Sequence, residues 1–107
     1  MGLSKTEKAI LKQFKDILQQ TLGDRLVELR LFGSHARGDA EEGSDFDVLV
    51  IVDRRTDDVR EMILDADVEM MNRYEKLFAA LIYDESEWQK ARSFPHAWNI
   101  ERDGVVL

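Results

Sequence analysis

Apolar residues recur along this chain with two different periods, and the changes of period divide it into elements. Ile10, Leu11, Phe14, Ile17, Leu18 and Leu22 follow Ser4-Lys5-Thr6-Glu7 at steps of three and four residues. That spacing predicts an amphipathic helix over residues 4–22, opened by a capping box and stopped by Gly23. From Leu26 to Phe32 the period falls to two, with Val27, Leu29 and Leu31 alternating against Glu28 and Arg30. This predicts a strand with one buried face. The β-branched and aliphatic run from Asp45 to Val52 predicts a buried strand. Thr56 then caps a second helix. Asp57 and Asp58 suit its N-terminal dipole, and Val59, Met62, Ile63, Ala66 and Met70 form its apolar stripe. Lys76 to Tyr83 reads as a further strand and Ser86 to Arg92 as a short helix anchored by Trp88, which Pro95 keeps from continuing. Phe94, Trp98, Ile100, Val105 and Leu107 make residues 93–107 apolar, so this segment either packs on the sheet or belongs to a partner surface. Together the elements describe a mixed α/β (α+β) fold, a small sheet flanked by helices, with residues 1–107 as one domain.

The chemistry concentrates between the first two strands. Gly33-Ser34-His35-Ala36-Arg37-Gly38 is followed by a short loop ending in Ser44 and then by Asp45-Phe46-Asp47. On a strand, residues two apart point to the same side with α-carbons roughly 6.6 Å apart, so Asp45 and Asp47 converge on one cation and repel each other without one. A hard divalent ion held by oxygen relieves that conflict. Magnesium fits better than zinc, because the chain has no cysteine and only His35 and His96 offer imidazole. Gly33 lets a backbone approach a ligand, Ser34 offers a hydroxyl and an adjacent amide, and residues 34–37 can start a helical turn with amides facing an anion, closed by Gly38. The alternative for Gly33-Ser34 is an ordinary turn and helix cap. Arg37 either neutralises phosphate or braces the loop through an acid. His35 lies inside this cradle and is assigned no catalytic role.

Composition narrows the partners. The net charge of −7 gives no general pull toward a nucleic-acid backbone, which disfavours extended duplexes. Arg54, Arg55 and Arg60 are interspersed with Asp53, Asp57, Asp58 and Glu61 and read as a solvated mixed-charge helix start. A protein or small-molecule acceptor suits this surface better. No run reaches the ~20 apolar residues of a membrane helix, and Met1 to Gln13 has neither a signal core nor a cleavage site, so a cytoplasmic protein is expected.

The pattern Gly33, Ser34, Ala36, Arg37, Gly38, Ser44, Asp45, Asp47 and Val50 resembles the signature of the polymerase-β-like nucleotidyltransferases, specifically the small MNT (minimal nucleotidyltransferase) group of the MntA-like antitoxin type. The resemblance implies that Gly33 and Ser34 hold a triphosphate with Arg37 nearby, that Asp45 and Asp47 bind two Mg2+ ions when nucleotide is bound, and that Ser44 fixes the loop before the metal strand. It implies transfer of an NMP, AMP from Mg-ATP, to a hydroxyl, with a helical HEPN-type protein of a toxin-antitoxin pair as the acceptor, and leaves a homo-oligomer open. One departure stands out. Catalytic members carry a third carboxylate on a neighbouring strand, and Lys76 to Tyr83 holds no acid; Asp84 just beyond it, or Glu69, are the displaced candidates. A module that neutralises a partner by binding is therefore the alternative. A drug-modifying transferase is a third reading, for which 107 residues leave no room for an added acceptor domain unless a dimer supplies one.

Overall fold

The computed structural model describes residues 3–41 and 43–107; Met1, Gly2 and the loop residue Glu42 lie outside the described residues. Helix α1 spans Lys5–Leu22. Ser4 caps it with the predicted box, in which the Ser4 hydroxyl accepts from the Glu7 amide and the Glu7 carboxylate accepts from the Ser4 amide. Strand β1 (Leu26–Phe32) runs to Gly33 and the four-residue helix α2 (Ser34–Arg37), which Gly38 closes in a left-handed conformation. Strand β2 covers Phe46–Val52, helix α3 Asp57–Tyr74 and strand β3 Phe78–Asp84. Helix α4 (Glu85–Ala91), helix α5 (Pro95–Asp103) and the short strand β4 (Val105–Val106) complete the chain.

The four strands form one sheet in the order β3-β2-β1-β4, with β1 antiparallel to both its neighbours and β2 parallel to β3 across the α3 connection. Alternation along β2 divides the interior. Phe46, Val48, Val50 and Val52 face one side, where Phe14 and Leu18 of α1 and Ile63, Ala66 and Met70 of α3 bury them. Leu49 and Ile51 face the other side and meet Trp88 and Ala91 of α4 and Ala97 and Ile100 of α5. Helices on both faces explain why β2 reads as a continuous apolar run.

Three local differences from the sequence reading have clear causes. Val27 is 47% exposed, not buried with Leu29 and Leu31, because the β1–β2 register jumps from Leu26↔Val52 to Glu28↔Ile51. A bulge there reverses the alternation and turns Leu26 inward instead. Helix α4 begins one residue earlier than Ser86, since Asp84 and Glu87 form a second capping box. The C-terminal segment is itself a helix in which Pro95 occupies the first turn, where its missing N–H costs nothing. Ile100 packs into the core, while Phe94 and Trp98 stay exposed at 55% and 59%.

Candidate active site

The site is built where β1 ends and β2 begins. Phe32 pairs with Asp47 across the antiparallel ladder, so the turn leaving β1 opens directly beside the first residues of β2. Asp47 follows the alternation of Leu49 and Ile51 along β2, and Asp45 lies immediately before the strand. Asp45 is exposed and Asp47 half-buried. Burial raises the Asp47 carboxyl above its ordinary pKa and the charge of Asp45 adds to the rise, whereas the charges of His35 and Arg37 draw it back. Two carboxylates in that relation favour a cation between them.

Gly33 takes φ +77°, a conformation costly for any residue with a side chain, and its α-carbon packs against Asp47. A Cβ at that position would overlap Asp47 Oδ2 and stand 3.0 Å from its Cγ. The absence of a side chain at Gly33 is what leaves room for the Asp47 carboxylate. Behind it, the Arg37 amide donates to the Gly33 carbonyl and the Gly38 and Asp39 amides to the Ser34 carbonyl, so α2 is a single closed turn. Arg37 leans on Asp39 with Nε 3.2 Å from the carboxylate, which is the bracing role, although its charge is still felt at Asp47. Ser44 is held within its loop: its amide donates to the Glu41 carbonyl and its hydroxyl accepts from the Glu41 amide at 3.1 Å.

The donor set fits magnesium. It offers hard carboxylate oxygens, and both nitrogens of His35 are occupied, by Glu7 at 2.7 Å and the Ser44 carbonyl at 2.9 Å. Among the described residues no three His, Cys, Asp or Glu side chains gather into a complete metal cage. Asp45 and Asp47 would supply two protein carboxylates, leaving other positions to phosphate and water, which is how magnesium is commonly bound.

Neither displaced candidate reaches the pair. In the parallel register Ala79 lies beside Asp47, whereas Asp84 lies beside Val52, five residues or roughly 16 Å along the strand. Asp84 also shares the alternation of Phe78, Ala80 and Ile82, which face the α1 and α3 side, and its carboxylate accepts from the Glu87 amide and the Ser86 hydroxyl. Glu69 belongs to α3, where it pairs with Arg73 at 2.8 Å. The strand position next to Asp47 is thus an exposed alanine. What the sequence reading missed is His35, whose ring joins α1 to the loop before β2; Glu7 was legible as a cap, but not the destination of its second oxygen.

This topology, with a glycine-serine turn beside the start of the adjacent strand where Asp45 and Asp47 stand, is that of the polymerase-β-like nucleotidyltransferases. The model of the nucleotidyltransferase domain family matches residues 11–105, and the chain belongs to that family. It is 32% identical over 101 residues to a putative protein adenylyltransferase of Methanocaldococcus jannaschii, covering 94% of this chain and 96% of that protein. Among solved structures it is similar to a toxin-antitoxin with AMP-PNP, at TM-score 0.60 and 15% identity, over 89% of this chain and 70% of the other. A mutant of the toxin-antitoxin MntA-HpeT matches with TM-score 0.60 and 15% identity, over 91% of this chain and 70% of that one. At such identities the structural likenesses show a common fold. No helix among the described residues is long and apolar enough to cross a membrane.

Proposed function

We propose that residues 1–107 act as one nucleotidyltransferase domain that transfers AMP from Mg-ATP to a hydroxyl of a partner protein in the cytoplasm. The observation that carries the reading is the placement of Asp47 directly against Gly33, with the exposed Asp45 two residues before it. Gly33 and Ser34 would hold the triphosphate through backbone amides and the serine hydroxyl, with Arg37 adding positive charge, and Ser44 would hold the loop from which Asp45 emerges. Asp45 and Asp47 would bind magnesium, two ions with nucleotide present. When bound, the metal offsets charge on the attacking and leaving oxygens. The acceptor oxygen forms a bond to the α-phosphorus, the bond from that phosphorus to the bridging oxygen breaks, pyrophosphate leaves, and the hydroxyl proton passes to solvent or to a base of the partner.

The relative described as a protein adenylyltransferase supports a protein acceptor, and the likeness to toxin-antitoxin structures supports a partner in such a pair, for which the sequence resemblance implies a helical HEPN-type protein. Incubating the purified protein with Mg2+, ATP labelled at the α-phosphate and lysate from its source cells tests this directly. Label should enter an acceptor with the unmodified protein and not with the Asp45→Asn, Asp47→Asn double variant; equal labelling by both would sink the reading. The alanine beside Asp47 favours a second reading, a domain that silences its partner by contact alone. Under that reading the double variant silences the partner as well as the unmodified protein does.

A further inference from the structure

His35 is a buried ring with three separate attachments. Its Nδ1 lies 2.7 Å from Glu7 Oε2 and its Nε2 2.9 Å from the Ser44 carbonyl oxygen, and its face stacks on Phe46 with centroids 4.1 Å apart. The side chain is only 8% exposed. Both polar partners are oxygens, so each ring nitrogen is engaged, one by a helix-capping carboxylate and the other by the loop backbone. Glu7 is itself fixed, because its other oxygen accepts from the Ser4 amide in the cap of α1, and that bond and His35 hold its carboxyl below the ordinary range. Ser44 immediately precedes Asp45, and Phe46 separates the two aspartates. One imidazole therefore ties the N-terminus of a core helix to the residues on either side of Asp45.

We propose that His35 is a positioning residue for nucleotidyl transfer: through Glu7 and the Ser44 carbonyl it fixes the entry to β2, and with it the separation and direction of Asp45 and Asp47. This rests on the transfer reading above. The chain needs such a tie because Asp45 lies outside the β2 ladder, whose first strand residue, Phe46, donates its amide to the Leu77 carbonyl. Among the described residues, the hydrogen bonds that hold the loop before Asp45, apart from those of the imidazole, are those between Ser44 and Glu41. Displacement of a reacting assembly by about 1 Å costs on the order of 10²-fold in rate, so a lost tie should register in turnover before it registers in the fold.

His35→Phe is the informative change, since it keeps a ring on Phe46 and removes both nitrogens. Glu7→Ala and the double variant complete a cycle in the full chain, assayed with Mg-ATP and the labelled acceptor. We expect His35→Phe to lower kcat about 10- to 100-fold with KM for Mg-ATP changed less than about 3-fold, and the double variant to be no slower than His35→Phe alone. Hydrogen exchange at the Ser44 and Phe46 amides, read without turnover, should quicken about 10-fold in His35→Phe and in Glu7→Ala. Exchange unchanged at those amides, or kcat within about twofold of the unmodified protein, overturns the inference even where transfer is confirmed. If His35→Phe does not fold, Glu7→Ala decides alone by the same two readouts. If the unmodified protein transfers nothing, the transfer reading falls, and the exchange rates still decide whether His35 holds the entry to β2.

Discussion

The α-carbon of Gly33 and the carboxylate of Asp47 occupy adjoining space, with no room for a methyl group between them. Two independent demands therefore fall on one residue. The backbone at φ +77° excludes ordinary side chains, and the neighbouring carboxylate excludes even the smallest one. Gly33→Ala should destabilise the fold by about 1–3 kcal/mol and push Asp47 away from Asp45. Titration of Mn2+ in place of Mg2+, followed by its electron paramagnetic resonance signal in the presence of ATP, should show at least about tenfold weaker binding. Binding equal to that of the unmodified protein would mean that the pair does not hold the metal.

Much of this arrangement was legible because it depends on local rules. The helical spacing of apolar residues placed α1 and α3, the β-branched run placed β2, the Ser4 and Thr56 caps marked two helix starts, and Gly38 marked the end of α2. The features that escaped depend on residues distant in sequence. The bulge at Val27 is a property of the pairing with β2 and leaves no trace in a pattern that alternates as a regular strand does. The contact between Glu7 and His35 spans 28 residues. Helix α5 was hidden by Pro95, read as a stop, although in a first turn proline is a start. The Asp84-x-x-Glu87 box had a readable spacing, but Asp84 is also the acid at the end of the strand on which a third carboxylate is expected.

That competing role can be separated by experiment. Asp84 accepts from the Glu87 amide at 2.8 Å, and these bonds to the Glu87 amide and the Ser86 hydroxyl hold its carboxyl below its ordinary pKa. Glu87 in turn receives Arg55 through two bonds, at 2.9 and 2.6 Å, which links α4 to the turn after β2. Asp84→Ala should lower the melting temperature by about 5 °C while leaving metal affinity and transfer unchanged. A tenfold loss of Mn2+ affinity in this variant would return Asp84 to the metal site.

Asp67 offers a test by pH. Its half-buried carboxyl has an oxygen without a hydrogen-bond partner among the described residues, and burial pushes its pKa up to about 7. In the unfolded chain the group ionises near ~3.9, so between about pH 4 and 7 the folded state holds a proton that the unfolded state has lost. Stability should therefore decline as pH rises through that window and level off above it. Asp67→Asn should flatten the decline, melting a few degrees higher than the unmodified protein near pH ~8 and about equal to it near pH ~4. A variant that melts lower at both values would show a partner for Asp67. The same side of α3 exposes Leu64, Val68 and Met71, so binding that covers this face should accentuate the pH dependence.

The most direct question about catalysis is what stands in for the acid that Ala79 does not supply. Ala79 is exposed and in register with Asp47, and a carboxylate placed there would point to the same side of the sheet. If the domain is an enzyme that relies on its partner for that group, Ala79→Asp should accelerate transfer to a simple hydroxyl acceptor by about 10²-fold, the usual worth of a positioned base, and add little with the natural partner. If the domain acts by binding alone, the substitution should raise Mn2+ affinity without producing any labelled acceptor, because a third ligand completes a metal site but cannot create an acceptor pocket. Measuring both quantities on one preparation separates the two cases. A variant that gains neither affinity nor rate would show that Asp45 and Asp47 do not direct their carboxylates toward the space beside Ala79.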